Sequence, residues 1–278
     1  MCGRTTPRPA VATAARCPTL WLVRTHELVL ARIERDLSAG RLIVGGRLPA
    51  ERTLAAELGV SRASVREAIR VLEAMGIIRT NVGSGPDAGA VVIDNPAAGM
   101  TSGIRLHVAS HHVPVGDVVQ LRVLLETWSV ARVADLVRTA GSAGLTPPDL
   151  IGATGVLGLM DESALTIEDF HRLDAAFHAG LVALSGNVLV GAVMAGLRGA
   201  IHDYMLTGSL RLPDWPATAA RLRAEHRGIL DAVEAGAPGE AAERVRAHIE
   251  GFYREADLGA ASRGATTSAT TDGNTALT

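Results

Sequence analysis

The chain is predicted to be mainly α-helical and built in two parts. The first is a small domain of three helices with a β-hairpin. The second is an all-α bundle of six or seven helices. Three observations carry this. Apolar residues recur at helical spacing over most of the 278 residues. Between Leu48 and Ile93, two short helical patterns are followed by two β-like runs around a glycine-rich tip. From 116 to 257 the only periodicity is helical, interrupted by caps and turns rather than by strands.

The elements follow in order. Thr25 to Ala39 reads as a helix with Leu28, Ile33 and Leu37 as buried candidates, stopped by Gly40. A glycine-containing connection from Arg41 to Arg47 leads to Pro49. Glu51 to Leu58 carries an apolar stripe of Leu54, Ala55 and Leu58, and Gly59 stops it. Ser61 can cap the next helix, whose buried face is Val65, Ile69 and Leu72. The run ending Ile77-Ile78-Arg79, the tip Thr80 to Gly89 and the run Ala90 to Ile93 make a hairpin. Asp94-Asn95-Pro96 breaks the second strand, and a helix from about Met100 to Ser110 links the two parts.

The rest is helical. Gly116–Thr139 carries Val118, Leu121, Leu125, Trp128 and Val133 as its stripe. Pro147–Met160, Thr166–Leu184, Val188–Leu206, Trp215–Ala235 and Gly239–Asp257 complete the set, with Ser185-Gly186-Asn187 acting as stop and cap. The expected domains are a disordered tail over 1–22, the small domain over 23–95, a linker with a helix over 96–115, the bundle over 116–257 and a disordered tail over 258–278.

On the second short helix, Arg62, Arg66 and Arg70 recur every four residues, about one turn apart. Two short helices joined by a tight turn, with cations on the second and a hairpin behind, form a winged helix-turn-helix suited to a DNA groove. The alternative is a solvated basic face. From about Arg24 to Ile93 the chain resembles the winged-helix domain of GntR-family bacterial transcription regulators. The carriers are the start Leu48-Pro49-Ala50-Glu51-Arg52, the core Gly59-Val60-Ser61-Arg62-Ala63-Ser64-Val65-Arg66-Glu67-Ala68-Ile69-Arg70 and the glycine-containing wing. The resemblance implies that Arg52, Ser61, Arg62, Ala63, Arg66 and Gly83 touch DNA. Ala63 stands where the family more often has threonine, so one hydrogen bond is expected to be missing.

Bulk properties agree. A formal net charge of −2 leaves DNA affinity to local clustering. Between Arg24 and Val82 there are ten arginines against seven acids, a modest footprint that a dimer doubles. The only cysteines, Cys2 and Cys17, precede every periodic segment, so no disulfide framework is expected. No signal-peptide pattern and no run of roughly 18 apolar residues occurs. A cytoplasmic location without membrane attachment is expected.

In the bundle, Asp174 and His178 stand four apart and share one helix face. His226 precedes Ile229, Leu230 and Val233. His248 lies between Val245 and Ile249. All are therefore on core-facing sides of their helices. One carboxylate and three imidazoles can hold a transition metal. Each histidine taken alone reads equally as an ordinary core residue. His107, His111, His112, His171 and His202 are given no role, and His171, three residues before Asp174, is the nearest rival.

From about Gly116 to Asp257 the chain resembles the all-helical FCD effector domain of the FadR subfamily of those regulators. The carriers are Asp174/His178, Glu225-His226 with Ile229-Leu230-Asp231-Ala232, and His248. The resemblance implies that Asp174, His178, His226 and His248 hold one divalent transition metal, for which zinc is the expected ion. Two positions of an octahedral metal remain for a small carboxylate effector. Leu121-Arg122-Val123-Leu124-Leu125-Glu126 also matches, so Arg122 is the expected effector-binding cation, or else half of a surface ion pair with Glu126.

The expected function is a ligand-responsive transcription regulator, a repressor, acting as a homodimer on palindromic double-stranded operator DNA. The resemblance implies that the effector domains supply the dimer interface. A metal-dependent hydrolase with Glu225 as base is the competing class, and the DNA module gives it no purpose. A third reading makes the metal the sensed ligand or a structural brace only.

Overall fold

The computed structural model describes residues 25–256, apart from 82, 84–88, 94, 111–112 and 163. The expected terminal tails, and with them Cys2 and Cys17, lie outside the described residues, as do His111 and His112. Ten helices and one two-stranded sheet occur among the described residues. The chain divides into two units, an N-terminal one up to Val92 and a larger helical one that also takes in Glu73–Arg79.

The first unit contains α1 (Thr25–Ser38), α2 (Glu51–Leu58), α3 (Arg62–Ala74) up to Leu72, and the hairpin of β1 (Ile78–Asn81), from Thr80 on, and β2 (Gly89–Val92). Val29, Ile33, Leu54, Val65 and Ala68 are wholly buried and make its core. The apolar stripes of α2 and α3 thus lie where their spacing put them. Leu28, expected inside, is 44% exposed, because Val29 takes the inward position of that turn. Gly59 ends α2 with φ 65°, a left-handed conformation open to glycine at no steric cost. Ser61 Oγ accepts from the Ser64 backbone N–H at 3.0 Å and caps α3. Asp36 is buried on α1, where its carboxylate accepts from Arg32 Nε and Arg41 Nε, each at 2.8 Å.

The segment read as a plain connection does more than connect. Gly45 and Leu48 donate to Val92 and Ala90 carbonyls at 2.9 Å, and Val92 donates back to Gly46 at 2.8 Å, flanking an antiparallel bridge between Arg47 and Val91. The wing strand β2 is therefore paired on both sides, which blunts an otherwise open edge.

The second unit runs through α4 (Pro96–Ala109), α5 (Val115–Ala143), α6 (Ile151–Met160), α7 (Ile167–Leu184), α8 (Val188–Ser209), α9 (Trp215–Glu234) and α10 (Pro238–Glu255). Side-chain caps set the start of α8 at Asn187, as the sequence suggested, and also that of α7 at Thr166. Thr166 Oγ1 accepts from Asp169 N at 3.0 Å, and Asn187 Oδ1 accepts from Leu189 and Val190 N at 3.1 Å. Pro147 and Pro148 precede α6 instead of opening it. The helix expected as a link over 100–110 begins at Pro96, which suits the first turn, and it packs along α8. Gly196 allows that approach, since a Cβ there would come within 3.2 Å of Thr101 Cα and 2.8 Å of Ile104 Cδ1. One core joins the helices through Val133, Met160, Phe177, Leu181, Ile229, Val233 and Val245.

The stripe predicted for α5 is corrected in part. Leu121 and Trp128 are 40% and 45% exposed, and Leu124 beside them is 64% exposed. Val118 and Val133 of that stripe are buried as expected, and the face they share also carries Arg122, Glu126, Thr127 and Ser129. A helix that lines a polar centre turns charged residues inward, and part of its apolar stripe, Leu121 and Trp128, is then left outside.

Candidate functional site

Three helices build a polar centre inside the apolar bundle. Asp174 and His178 come from α7, His226 from α9 and His248 from α10, and all four are buried. One ligand atom from each lies within 4.8 Å of every other. Asp174 Oδ1 is 3.0 Å from His226 Nε2, 3.7 Å from His178 Nε2 and 3.8 Å from His248 Nε2. His178 Nε2 is 3.2 Å from His248 Nε2 and 3.3 Å from His226 Nε2. Donors about 2.1 Å from one ion stand roughly 3.0 Å apart in an octahedral cis arrangement and roughly 3.4 Å apart in a tetrahedral one. The observed spacings span both.

The outward edges of two rings decide what the inward edges carry. His248 Nδ1 donates to Glu225 Oε2 at 2.8 Å. His178 Nδ1 lies 2.6 Å from Glu126 Oε2. In a neutral ring the proton therefore sits on Nδ1, and Nε2 presents a lone pair to the centre. Two lone pairs and a carboxylate oxygen then converge on one point. Without a cation they repel one another; with one they are its ligands. His226 has no such support, since its Nδ1 is buried without a hydrogen bond. Phe177 meets its ring edge-on at 4.9 Å between centroids.

The protonation states of Asp174 and His226 fit ligation; at His248 burial is outweighed by the hydrogen bonds to Asp174 and Glu225, which raise its pKa, so a proton must leave that ring when a metal binds. Burial, and then the charge of His248, push the His226 imidazole down to about 3, so it stays neutral. Burial alone would raise the Asp174 carboxyl, but the three imidazoles around it hold it well below the usual range. A carboxylate and neutral imidazoles are the forms that bind a metal.

Arg122 and Glu126 sit one turn apart on the buried face of α5. Arg122 Nε donates to Glu126 Oε1 at 2.6 Å, and Nη1 reaches the Tyr253 hydroxyl at 3.4 Å. Burial opposes the Arg122 charge, but Glu126 outweighs it and raises the pKa. The pair is thus the i,i+4 ion pair considered from sequence, but buried. Arg122 also lines a cavity with His171, Asp174, Met205, His248 and Phe252. That cavity holds about 10 Å³ of free room, the space of one water molecule. His171 is in its wall, with Nε2 2.7 Å from Ser209 Oγ, and so stands outside the ligand cluster.

Sequence reading gave Arg198 no role, took Glu126 only as part of the matching helix and as an ion-pair partner of Arg122, and named Glu225 only within the matching pattern and as a hydrolytic base. Glu225 instead supports His248 and pairs with Arg221. The one signal for Glu126 was its spacing from Arg122. Arg198 on α8 had none, since a lone arginine in an apolar helix reads as surface.

In the N-terminal unit, Arg52, Ser61, Arg62, Ala63 and Arg66 are all exposed, as is Gly83 at the described edge of the wing tip. Glu51 Oε2 accepts from Arg66 Nε at 2.9 Å and lies 3.5 Å from Arg62 Nη2, so α2 holds two of the three α3 arginines. Val82 and 84–88 of the tip lie outside the described residues.

Among known proteins, the model of bacterial regulatory proteins of the gntR family matches residues 25–86, and that of the FCD domain matches 117–251. The HTH-type transcriptional repressor NanR of Cronobacter sakazakii is 26% identical over 237 residues, covering 83% of this chain and 84% of that protein. The Uxu operon regulator of Haemophilus influenzae is 26% identical over 239 residues, 82% and 80% of the two chains. A solved structure, Streptococcus agalactiae GntR, superposes with a TM-score of 0.54 at 23% identity over 83% of this chain and 99% of the other.

Proposed function

The chain belongs to the GntR family of bacterial regulatory proteins and carries an FCD domain, so it is a DNA-binding transcription regulator and not an enzyme, and we propose that it is a homodimeric repressor whose helical domain binds a divalent metal and a small carboxylate. The metal part rests on one observation: the Nε2 atoms of His178 and His248 face each other and Asp174 Oδ1 while their Nδ1 atoms face carboxylates. Asp174, His178, His226 and His248 would hold the ion, with zinc the best match to imidazole-rich ligation. Such an ion supplies Lewis acidity and open positions for an oxygen ligand.

Glu126 and Glu225 orient the two rings from outside. Arg122 lends positive charge to the cavity wall. Met205, unbranched and adaptable, is the wall residue best able to yield to an entering acid. α8 carries Met205, and α4, which follows the wing in the chain, packs along α8. A ligand that shifts α8 would therefore be felt by α4. Exposed Arg52, Ser61, Arg62, Ala63, Arg66 and Gly83 would meet operator DNA in the cytoplasm, as one half of a palindrome. The exposed Leu121, Leu124 and Trp128 of α5 favour self-association, because a contiguous apolar stripe is rarely left to solvent.

Metal content of tag-free protein, read beside operator affinity with and without chelator, tests this reading. Stoichiometric metal, and operator affinity that changes with a carboxylate only when metal is bound, is the expected result. Sub-stoichiometric metal, equal in wild type and in His226→Ala, would refute it. Metal that alters folding without any carboxylate response would make the ion a brace.

A further inference from the structure

Arg198 lies on the middle of α8, with Nη1 donating to the Ala175 carbonyl of α7. Its other two nitrogens, Nε and Nη2, are sealed from solvent and have no hydrogen-bond partner among the described residues. These two form one edge of the planar guanidinium, the edge that grips a carboxylate through two parallel N–H···O bonds. A buried, charged donor pair left without an acceptor is costly, and such a pair marks a place where an acceptor is missing. Burial pushes the Arg198 pKa down to about 10, while the charges acting on it are those of Glu126, Arg122 and Asp174. Its acceptor Ala175 directly follows the candidate ligand Asp174 on α7, so the Arg198 guanidinium lies beside the helix that carries the cluster. The same residue lines an open groove with Thr166, Asp169, Arg172, Ala175, Gly199 and His202.

Arg122 is differently placed. Its charge is already matched by Glu126 at 2.6 Å, and Nη1 is directed to Tyr253 and Met205. An anion arriving there meets Glu126 as well. Within the buried shell, Asp174 and Glu126 balance Arg122 and Arg198, and Glu225 beside His248 is shared with Arg221, so a divalent ion adds more positive charge than the carboxylates around it match. Buried charge without a counter-charge is expensive. A ligand with two carboxylates would supply the missing counter-charge.

We propose that the free Nε/Nη2 edge of Arg198 is the docking point for a second carboxylate, and that the effector is a dicarboxylate with its other carboxylate at the metal. This rests on the metal-and-carboxylate reading above and narrows it: Arg198, and not Arg122, selects the acid.

The test uses full-length, metal-loaded protein, titrated calorimetrically with succinate, glutarate and adipate and with butyrate, pentanoate and hexanoate, which match them in carbon number. At least one dicarboxylate should bind tenfold or more tighter than its monocarboxylate counterpart. Arg198→Gln should abolish that advantage while leaving metal content and monocarboxylate affinity unchanged. If Arg198→Gln does not fold, Arg198→Lys serves, because one ammonium cannot supply two parallel bonds and most of the advantage should still vanish. Equal affinity for every matched pair, or an advantage that survives both substitutions, overturns the assignment to Arg198 and leaves the metal–carboxylate reading standing. Absence of binding by all six acids overturns both.

Discussion

The Nε2 atoms of His178 and His248 stand 3.2 Å apart while the Nδ1 atom of each ring faces a carboxylate, Glu126 for one and Glu225 for the other. Removing metal should therefore leave opposed lone pairs in a dry core. At a metal activity a thousand times Kd, binding adds about 4 kcal/mol to stability. That is on the order of 10 °C in Tm for a domain of this size. Calorimetric scans with and without chelator should show that drop for wild type and none for His226→Ala or His248→Ala.

Glu225→Gln should weaken metal binding roughly 10- to 100-fold, because the ring it orients loses its acceptor charge. Competition against a chromophoric chelator measures this directly, and an unchanged affinity would remove Glu225 from the site.

Glu126→Gln should be worse for folding. Arg122 and Glu126 are 3% and 1% exposed, so the change strands a buried guanidinium, at a cost of about 3–5 kcal/mol. The double change Arg122→Met with Glu126→Leu should recover most of it. Urea unfolding midpoints of the three proteins decide whether the pair acts as a unit.

Arg66→Ala should cost about 1–3 kcal/mol of operator affinity if Arg66 reads a base through two hydrogen bonds. Glu51 now holds its Nε, leaving the terminal nitrogens to reach outward. Gel-shift titration at fixed salt, with Arg66→Ala no weaker than wild type, would discard the assignment.

Leu124→Asp should convert the proposed dimer to monomer, since Leu124 is the most exposed member of the α5 stripe. Light scattering at micromolar concentration reads the mass. A dimer that persists in both Leu124→Asp and Trp128→Ala would move the interface elsewhere.

Asp36 gives the small domain a pH signature. Its hydrogen bond from Arg41, opposed by burial and reinforced by Arg32, holds its carboxyl below the usual range. A depressed carboxyl contributes stability that is complete above its unfolded value of about 3.9 and is lost as pH falls through the folded one. Amide exchange in α1 should accelerate below about pH 4, and Asp36→Asn should already exchange faster at neutral pH with less change on acidification.

Sequence alone determined most of the scaffold. The stripes of α2 and α3, the stop at Gly59, the caps at Ser61, Thr166 and Asn187 and the hairpin are local, because each depends on residues within one or two turns of the chain. Asp174 and His178 shared a face by spacing alone. The distances that bring His226 and His248 to them were not legible, since no periodicity relates residues on three different helices. Tertiary structure also decided which side of α5 is buried. Charged Arg122 and Glu126 go inward because each satisfies the other there and Glu126 faces His178, while Leu121, Leu124 and Trp128 are left outside. It decided Arg198 as well: whether a guanidinium edge has an acceptor depends on the neighbours that packing brings to it, and no single helix contains that information.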